Sequence, residues 1–144
     1  MVASGYLVRV ILYRCSDLMA ADLNGKSDPY VIFTIGNKTL KSSRINDELN
    51  PQWTPPEKFE FVVPEWENEF ITIQVYDHDL LSKDDLIGSA IIPLALYAGN
   101  RHNELYHYPL VLPDEAGPDP PRSEIHLQVT LTTASGEPVD YFLY

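Results

Sequence analysis

Cysteine is nearly absent. Cys15 is the chain's single thiol, so an internal disulfide is excluded and nothing in the sequence asks for an oxidising compartment. Positive charge is scarce: ten lysines and arginines stand against 21 acidic residues, for a formal net charge of −11. A nucleic-acid-binding domain would show a basic face, and an anionic membrane would repel such a surface unless its sign were changed locally. Long apolar runs are missing too. The longest, L86-I-G-S-A-I-I-P-L-A-L-Y-A-G99, is broken by Gly88, Ser89 and Pro93 and is too short to cross a bilayer. The opening M1-V-A-S-G-Y6 has no basic stretch leading into an apolar core, and Val2 breaks the myristoylation pattern. Neither a secretory leader nor an acyl anchor is expected. A cytoplasmic protein with no transmembrane segment is the expectation.

What is present is turn chemistry and short apolar alternation. Twelve prolines and seven glycines are spread along 144 residues, enough chain for one domain with a full core and too little for two. Eight stretches read as strands. L7-V-R-V-I-L-Y13 alternates so that Val8, Val10 and Leu12 share a face, and Tyr30–Ile35 does the same with Val31, Phe33 and Ile35. Thr39–Ile45, Lys58–Val63, Phe70–Tyr76, Ile87–Ile92, Glu104–Leu110 and Glu124–Thr132 complete the set. Alternation at this density predicts an all-β fold, an eight-stranded antiparallel β-sandwich of two packed sheets. Pro93–Ala98 reads as a short helical turn and Pro113–Arg122 as a solvated, proline-rich surface loop. The aromatic tail Ser135–Tyr144 reads as a segment that packs back onto the body.

Four aspartates crowd one stretch, V75-Y-D-H-D-L-L-S-K-D-D-L-I-G88, at positions 77, 79, 84 and 85. Two unit charges roughly 5 Å apart repel by on the order of 3 kcal/mol at an effective dielectric of about 20. A second acidic turn, L18-M-A-A-D-L-N-G-K-S-D-P-Y-V31, carries Asp22 and Asp28. A sandwich gathers its loops at its ends, so the two stretches can meet there, with Asp77 and Asp79 on one side of a strand end. Asp22, Asp28, Asp77, Asp79 and Asp85 then form a set of hard oxygen donors of the kind calcium takes, about six to eight at a time. The crowding acquires a partner, a divalent cation. An EF-hand is excluded: loops begun at Asp77 or Asp22 put Ser82 and Gly88, or Ser27 and Phe33, where glycine and glutamate are needed. The D-x-D of some glycosyltransferases belongs to larger α/β domains than this chain can form. Each aspartate alone is an ordinary turn residue; the joint pattern carries the reading.

Four blocks, S27-D-P-Y-V31, L49-N-P-Q-W53, V75-Y-D-H-D79 and S82-K-D-D-L-I-G88, stand in an order and spacing that resembles the C2 domain, the calcium- and lipid-binding module of protein kinase C and synaptotagmin. The resemblance runs from about Tyr6 to about Thr133 and implies one C2-like domain over residues 1–134 with a C-terminal tail at 135–144. It places the family's five calcium-binding aspartates on Asp22, Asp28, Asp77, Asp79 and Asp85. It implies two or three calcium ions, an added oxygen from Ser82 and a backbone carbonyl from His78. Asp84 falls where the family requires no ligand. A complete strand, Ile125–Thr132, follows Y106-H-Y-P-L110. The similarity is therefore to the family's type II topology, in which a circular permutation carries the first strand to the C-terminus. Two departures stand out. The lysine-rich strand that many relatives use for phosphoinositides is here K38-T-L-K-S-S-R-I-N-D-E-L49, with Lys38, Lys41 and Arg44 diluted by Asp47 and Glu48, which reads as a solvated strand face. W53-T-P-P-E-K-F59 is longer and richer in proline than usual, which reads as a change in a connecting loop.

The resemblance implies calcium-dependent, peripheral docking on anionic phospholipid membranes, in membrane targeting, signalling or vesicle trafficking. Five aspartates carry −5; two calcium ions bring the loops to −1 and three to +1, before Lys26 and Lys83 are counted. Repulsion from lipid phosphates becomes tolerance or attraction. Met19, Leu23, Leu80 and Leu81 offer apolar tips for shallow insertion, each contributing on the order of 1 kcal/mol. The rest of the surface keeps sixteen acidic residues against ten basic ones. That leaves an alternative open: a protein–protein interaction module, calcium-regulated or constitutive, with little direct lipid binding. No nucleic-acid partner and no enzyme are expected. His78, His102, His107 and His126 form no ligand-spaced pair, Cys15 reads as buried, and no nucleophile has an evident adjacent base.

Overall fold

Strand alternation sets both sheets. The computed structural model describes residues 5–21, 24–99 and 104–139. Its strands are β1 (Tyr6–Ser16), β2 (Pro29–Ile35), β3 (Lys38–Lys41), β4 (Gln52–Val63), β5 (Phe70–Asp77), β6 (Asp85–Pro93), β7 (Tyr106–Pro109) and β8 (Glu124–Thr133). They form two antiparallel four-stranded sheets, in the orders β4-β1-β8-β7 and β3-β2-β5-β6. Val8, Val10 and Leu12 of β1 and Ile125, Leu127, Val129 and Leu131 of β8 form the inner face of one sheet. Val31, Phe33 and Ile35 of β2 and Ile71, Ile73 and Val75 of β5 form that of the other, and all are buried. Each such side chain stabilises the fold by about 1.5–3 kcal/mol, so this inner layer is what holds the sheets together.

The C-terminal strand β8 lies between β1 and β7, with Tyr6 opposite Thr133 and Ser16 opposite Glu124. A short turn from 133 to 6 would convert β8–β1 into an ordinary hairpin. This is the permuted strand order that the resemblance implied.

Three expectations change in detail. β4 begins at Gln52, so residues 53–59 lie within a strand rather than in a connecting loop. Trp53 is buried, and its indole N–H donates to the Ser43 carbonyl at 3.0 Å, which anchors the start of the strand. β4 is an edge strand, where proline costs no central ladder bond, and the register slips from Leu12–Glu57 to Arg14–Gln52 across a bulge. β3 stops at Lys41, short of the expected Ile45. There Ser42 takes over: its hydroxyl oxygen accepts the Val31 N–H at 2.8 Å, a side chain standing in for the ladder. The proline-rich loop contains a 3₁₀ turn, Asp114–Ala116. The other short turn, Leu94–Tyr97, is the helical segment expected after Pro93. The tail folds back through a Thr132–Pro138 bridge and a bond from the Gly99 N–H to the Val139 carbonyl at 2.7 Å; its last residues, 140–144, lie outside the described residues.

Register gathers four loops at one end of the sandwich: 17–28, 42–51, 78–84 and 110–123. The other end holds the 36–37 turn, the 64–69 loop and the Leu94–Tyr97 turn.

Candidate functional site

Continuing the inward alternation of Ile71, Ile73 and Val75 places Asp77 in the same row, at 0% exposure. A carboxylate in that position needs polar partners. One comes from the residue just before β2: the Asp28 N–H donates to Asp77 Oδ1 at 2.7 Å. Pro29 faces Asp77 across β2–β5, and Asp77 faces Asp85 across β5–β6. Asp28, Asp77 and Asp85 therefore stand on three adjacent strand ends, where neighbouring strands run about 4.8 Å apart. The His78 N–H closes the joint by donating to the Asp28 carbonyl at 3.0 Å.

The loops around this row are tied by polar side chains as well as by the apolar packing of Leu18 and Leu110. Ser27 is buried; its hydroxyl donates to the Met19 carbonyl at 2.9 Å, and its oxygen accepts the Ala21 N–H at 3.2 Å. Asp28 Oδ1 accepts the N–H of Asp47 at 2.7 Å, with Asp47 in the left-handed region at φ 53°, a conformation aspartate tolerates. Asp79 closes an Asx turn: Oδ1 accepts the Leu81 N–H at 2.9 Å and Oδ2 the Ser82 hydroxyl at 2.8 Å. These bonds, the Leu81 N–H foremost, hold the Asp79 carboxyl below the usual carboxylate range. Asp84 accepts the Tyr30 hydroxyl and, at 3.0 Å, the Asp79 N–H, and the His78 ring lies 3.6 Å from it. The Tyr30 bond is the main reason that its carboxyl too is held low.

The structure thus brings Asp28, Asp77, Asp79, Asp85, Ser82 and His78 to one end. Asp22 and Leu23 lie outside the described residues. Leu80 and Leu81 stand at the tip of the 78–84 loop, 87% and 96% exposed, and Lys26 and Lys83 are exposed nearby in sequence. Met19 departs from the expected tip position: it is half-buried and packs against the core under its own loop. A cleft of about 600 Å³ opens beside the carboxylates, lined by Met19, Leu86 and Pro113 with Asp84, Asp85 and Glu115.

Sequence reasoning missed three members of this neighbourhood. Asp47 counted only as a diluent of the basic strand, Glu115 only as part of a solvated loop, and Asp84 had no assigned task. Asp47 arrives through a contact with the distant Asp28, Glu115 through the cleft it lines, and Asp84 gains its role from Tyr30 on β2. The histidines hold one surprise as well. Spacing gave no pair, yet register sets His107 opposite His126, with ring centroids 5.7 Å apart and His107 Nδ1 3.1 Å from Glu124. His102 lies outside the described residues.

These donors are all oxygen and sit on adjacent strand ends and the loop between them. Among the described residues no lysine or arginine lies within ion-pair distance of Asp28, Asp79 or Asp85. That is the chemistry of a hard divalent cation such as calcium, and the residues fit it. As the side chains stand, no three His, Cys, Asp or Glu groups among the described residues converge tightly enough to hold a metal. Asp79 is turned onto its own loop, and one Asp28 oxygen is given to Asp47. Binding therefore asks Asp79 to exchange its loop partners for the ion.

Two antiparallel four-stranded sheets with an acidic loop end define the class, a β-sandwich module. The chain belongs to the C2 domain family, whose pattern it matches over residues 6–109. It is 38% identical over 136 residues to Multiple C2 and transmembrane domain-containing protein 1 of Rattus norvegicus, a match covering 94% of this chain and 14% of that protein. The chain spans only 10–14% of the length of the first curated relatives it matches. A C2 domain of plant Extended Synaptotagmin 1 shares the fold at a TM-score of 0.76 and 21% identity, over 92% of this chain and 97% of that one. A calcium-bound pair of C2 domains from Extended-Synaptotagmin 2 aligns at a TM-score of 0.69 and 29% identity, over 90% of this chain and 46% of that one. Among the described residues no helix is long and apolar enough to cross a membrane.

Proposed function

We propose that this C2 domain docks on anionic phospholipid membranes in a calcium-dependent manner. The observation that carries the reading is the register of Pro29, Asp77 and Asp85 across β2, β5 and β6, which lines up acidic residues at three strand ends beside two fully solvated leucines. Asp22, Asp28, Asp77, Asp79 and Asp85 would hold two or three calcium ions, with the Ser82 hydroxyl and His78 carbonyl as further oxygens. Bound calcium supplies positive charge and coordination positions open to lipid phosphate. Leu80 and Leu81 enter the headgroup boundary, and Lys26 and Lys83 add attraction to it. Residues 1–134 form the docking unit and 135–144 its tail. The domain binds rather than catalyses, and it works at the cytoplasmic face of membranes in targeting, signalling or trafficking. The likeness to a calcium-bound relative supports this.

Co-sedimentation with phosphatidylserine vesicles tests it. The protein pellets with calcium, and stays in solution with chelator or with phosphatidylcholine alone. Calcium binding without vesicle binding would point to the second reading, a calcium-regulated protein-interaction module, which the sixteen-to-ten acidic excess of the remaining surface favours.

A further inference from the structure

Asp84 is the acidic residue of the 78–84 loop that the calcium reading leaves without a task, yet it is among the most tightly held. Two donors hold it, the Tyr30 hydroxyl from β2 and the Asp79 backbone N–H from its own loop, and the His78 ring of the same loop lies 3.6 Å away. Tyr30 is itself fixed. Its ring stacks on Tyr76 of β5 at 5.8 Å and 19°, and the Lys41 ammonium of β3 sits 5.3 Å from its centroid. A chain of contacts thus runs from the rigid sheet, Lys41 and Tyr76 to Tyr30 to Asp84, and ends on the backbone of Asp79. The hydroxyl of Tyr30 is pushed well above its ordinary range by burial and by Asp84, so it stays protonated and able to donate.

We propose that Tyr30 and Asp84 form a latch that presets the 78–84 loop, making Asp84 a positioning residue for Asp79 rather than a calcium ligand. The inference rests on the calcium reading above. The Asp79 N–H is the point where the loop leaves the strand end, and holding it fixes the turn from which the Asp79 carboxylate is presented. Without the latch, the loop must be ordered at the moment of binding, at the expense of affinity. Asp84 also adds a negative charge to the field a cation meets, so removing it would weaken binding by two routes. Tyr30→Phe separates them, because it keeps the ring, the stacking and every charge while deleting one donor.

The test is a double-mutant cycle read by calorimetric calcium titration and by amide exchange in chelator. Tyr30→Phe lowers calcium affinity by about fivefold to tenfold, part of the more than tenfold that a hydrogen bond to a charged group can be worth, because the latch acts on the ion only through Asp79. It raises exchange at residues 79–82 while the β5 and β6 amides stay protected. In an Asp84→Ala background the same substitution changes affinity by less than about twofold, because the two residues act as one unit. An unchanged affinity in Tyr30→Phe overturns the latch, as does an equal loss in both backgrounds. A wild-type domain that binds no calcium overturns the reading above instead. Exchange at 79–82 then decides the latch alone: faster exchange in Tyr30→Phe supports it, and unchanged exchange overturns it.

Discussion

The two ends of the sandwich differ in what is added to their apolar packing. At the end away from the carboxylates, Leu94, Tyr97, Trp66 and Val139 are all buried, and the Tyr97 hydroxyl meets that of Tyr108 at 2.7 Å. At the acidic end the loops are held by Ser27, Asp28, Asp79 and Asp84, each bonding to backbone or hydroxyl groups of a neighbouring segment. Apolar closure is strong and indifferent to ions. Polar closure contributes about 0.5–1.5 kcal/mol per bond net, and it can be traded for a ligand that offers the same oxygens a better partner. On the proposed reading, the polar bonds of the acidic end are the ones a ligand would exchange.

Substitutions should keep these roles apart. Leu94→Ala is expected to lower unfolding free energy by about 2–5 kcal/mol through a cavity, measured by chemical denaturation. Its calcium affinity in solution, where the fold persists, should stay within about twofold of wild type. Asp79→Asn is the converse: calcium affinity falls by about a hundredfold or more, while the melting temperature in chelator moves little, since its polar bonds are at the surface. A large melting shift in that variant would mean the two ends are not separable. A third effect divides the acidic end itself. Leu80→Ser with Leu81→Ser should weaken vesicle binding by about tenfold and leave calcium titration in solution unchanged.

Protonation gives the smallest effect. Asp79 and Asp84 have carboxyls held below the ordinary range by hydrogen bonds. A lowered folded pKa stabilises the loop above the unfolded value, near about 4. That contribution fades as pH falls through the lower folded values. Amide exchange at 79–82 should therefore be flat, after correction for intrinsic rates, from neutrality down to about pH 5, with protection lost only below about pH 4. Loss of order already near pH 6 would exclude these two carboxylates as its cause.

The contrast between ends also explains what was legible in advance. The strands that alternate cleanly, β1, β2, β5 and β8, stand where Val8, Val31, Ile71 and Ile125 put them, because period-2 burial is a local signal. β4 was half hidden: prolines argue against a strand unless it lies on an edge, and edge position is a property of the whole sheet. The acidic row was readable because Asp77 extends a strand pattern and Asp28 sits in a recognisable block. Asp47, Glu115 and the Tyr30–Asp84 bond were not, since partners 54 residues apart leave no mark on the intervening sequence.

Tyr6 and Thr133 lie side by side in adjacent strands, at the pole remote from the acidic loops. A polypeptide entering and leaving there can be lengthened at either terminus without crowding the acidic loops. The domain is in that sense a cassette: a tether joined there would lead one way while the acidic rim faces the other, and several such units strung together would each be able to turn their rims to a single surface.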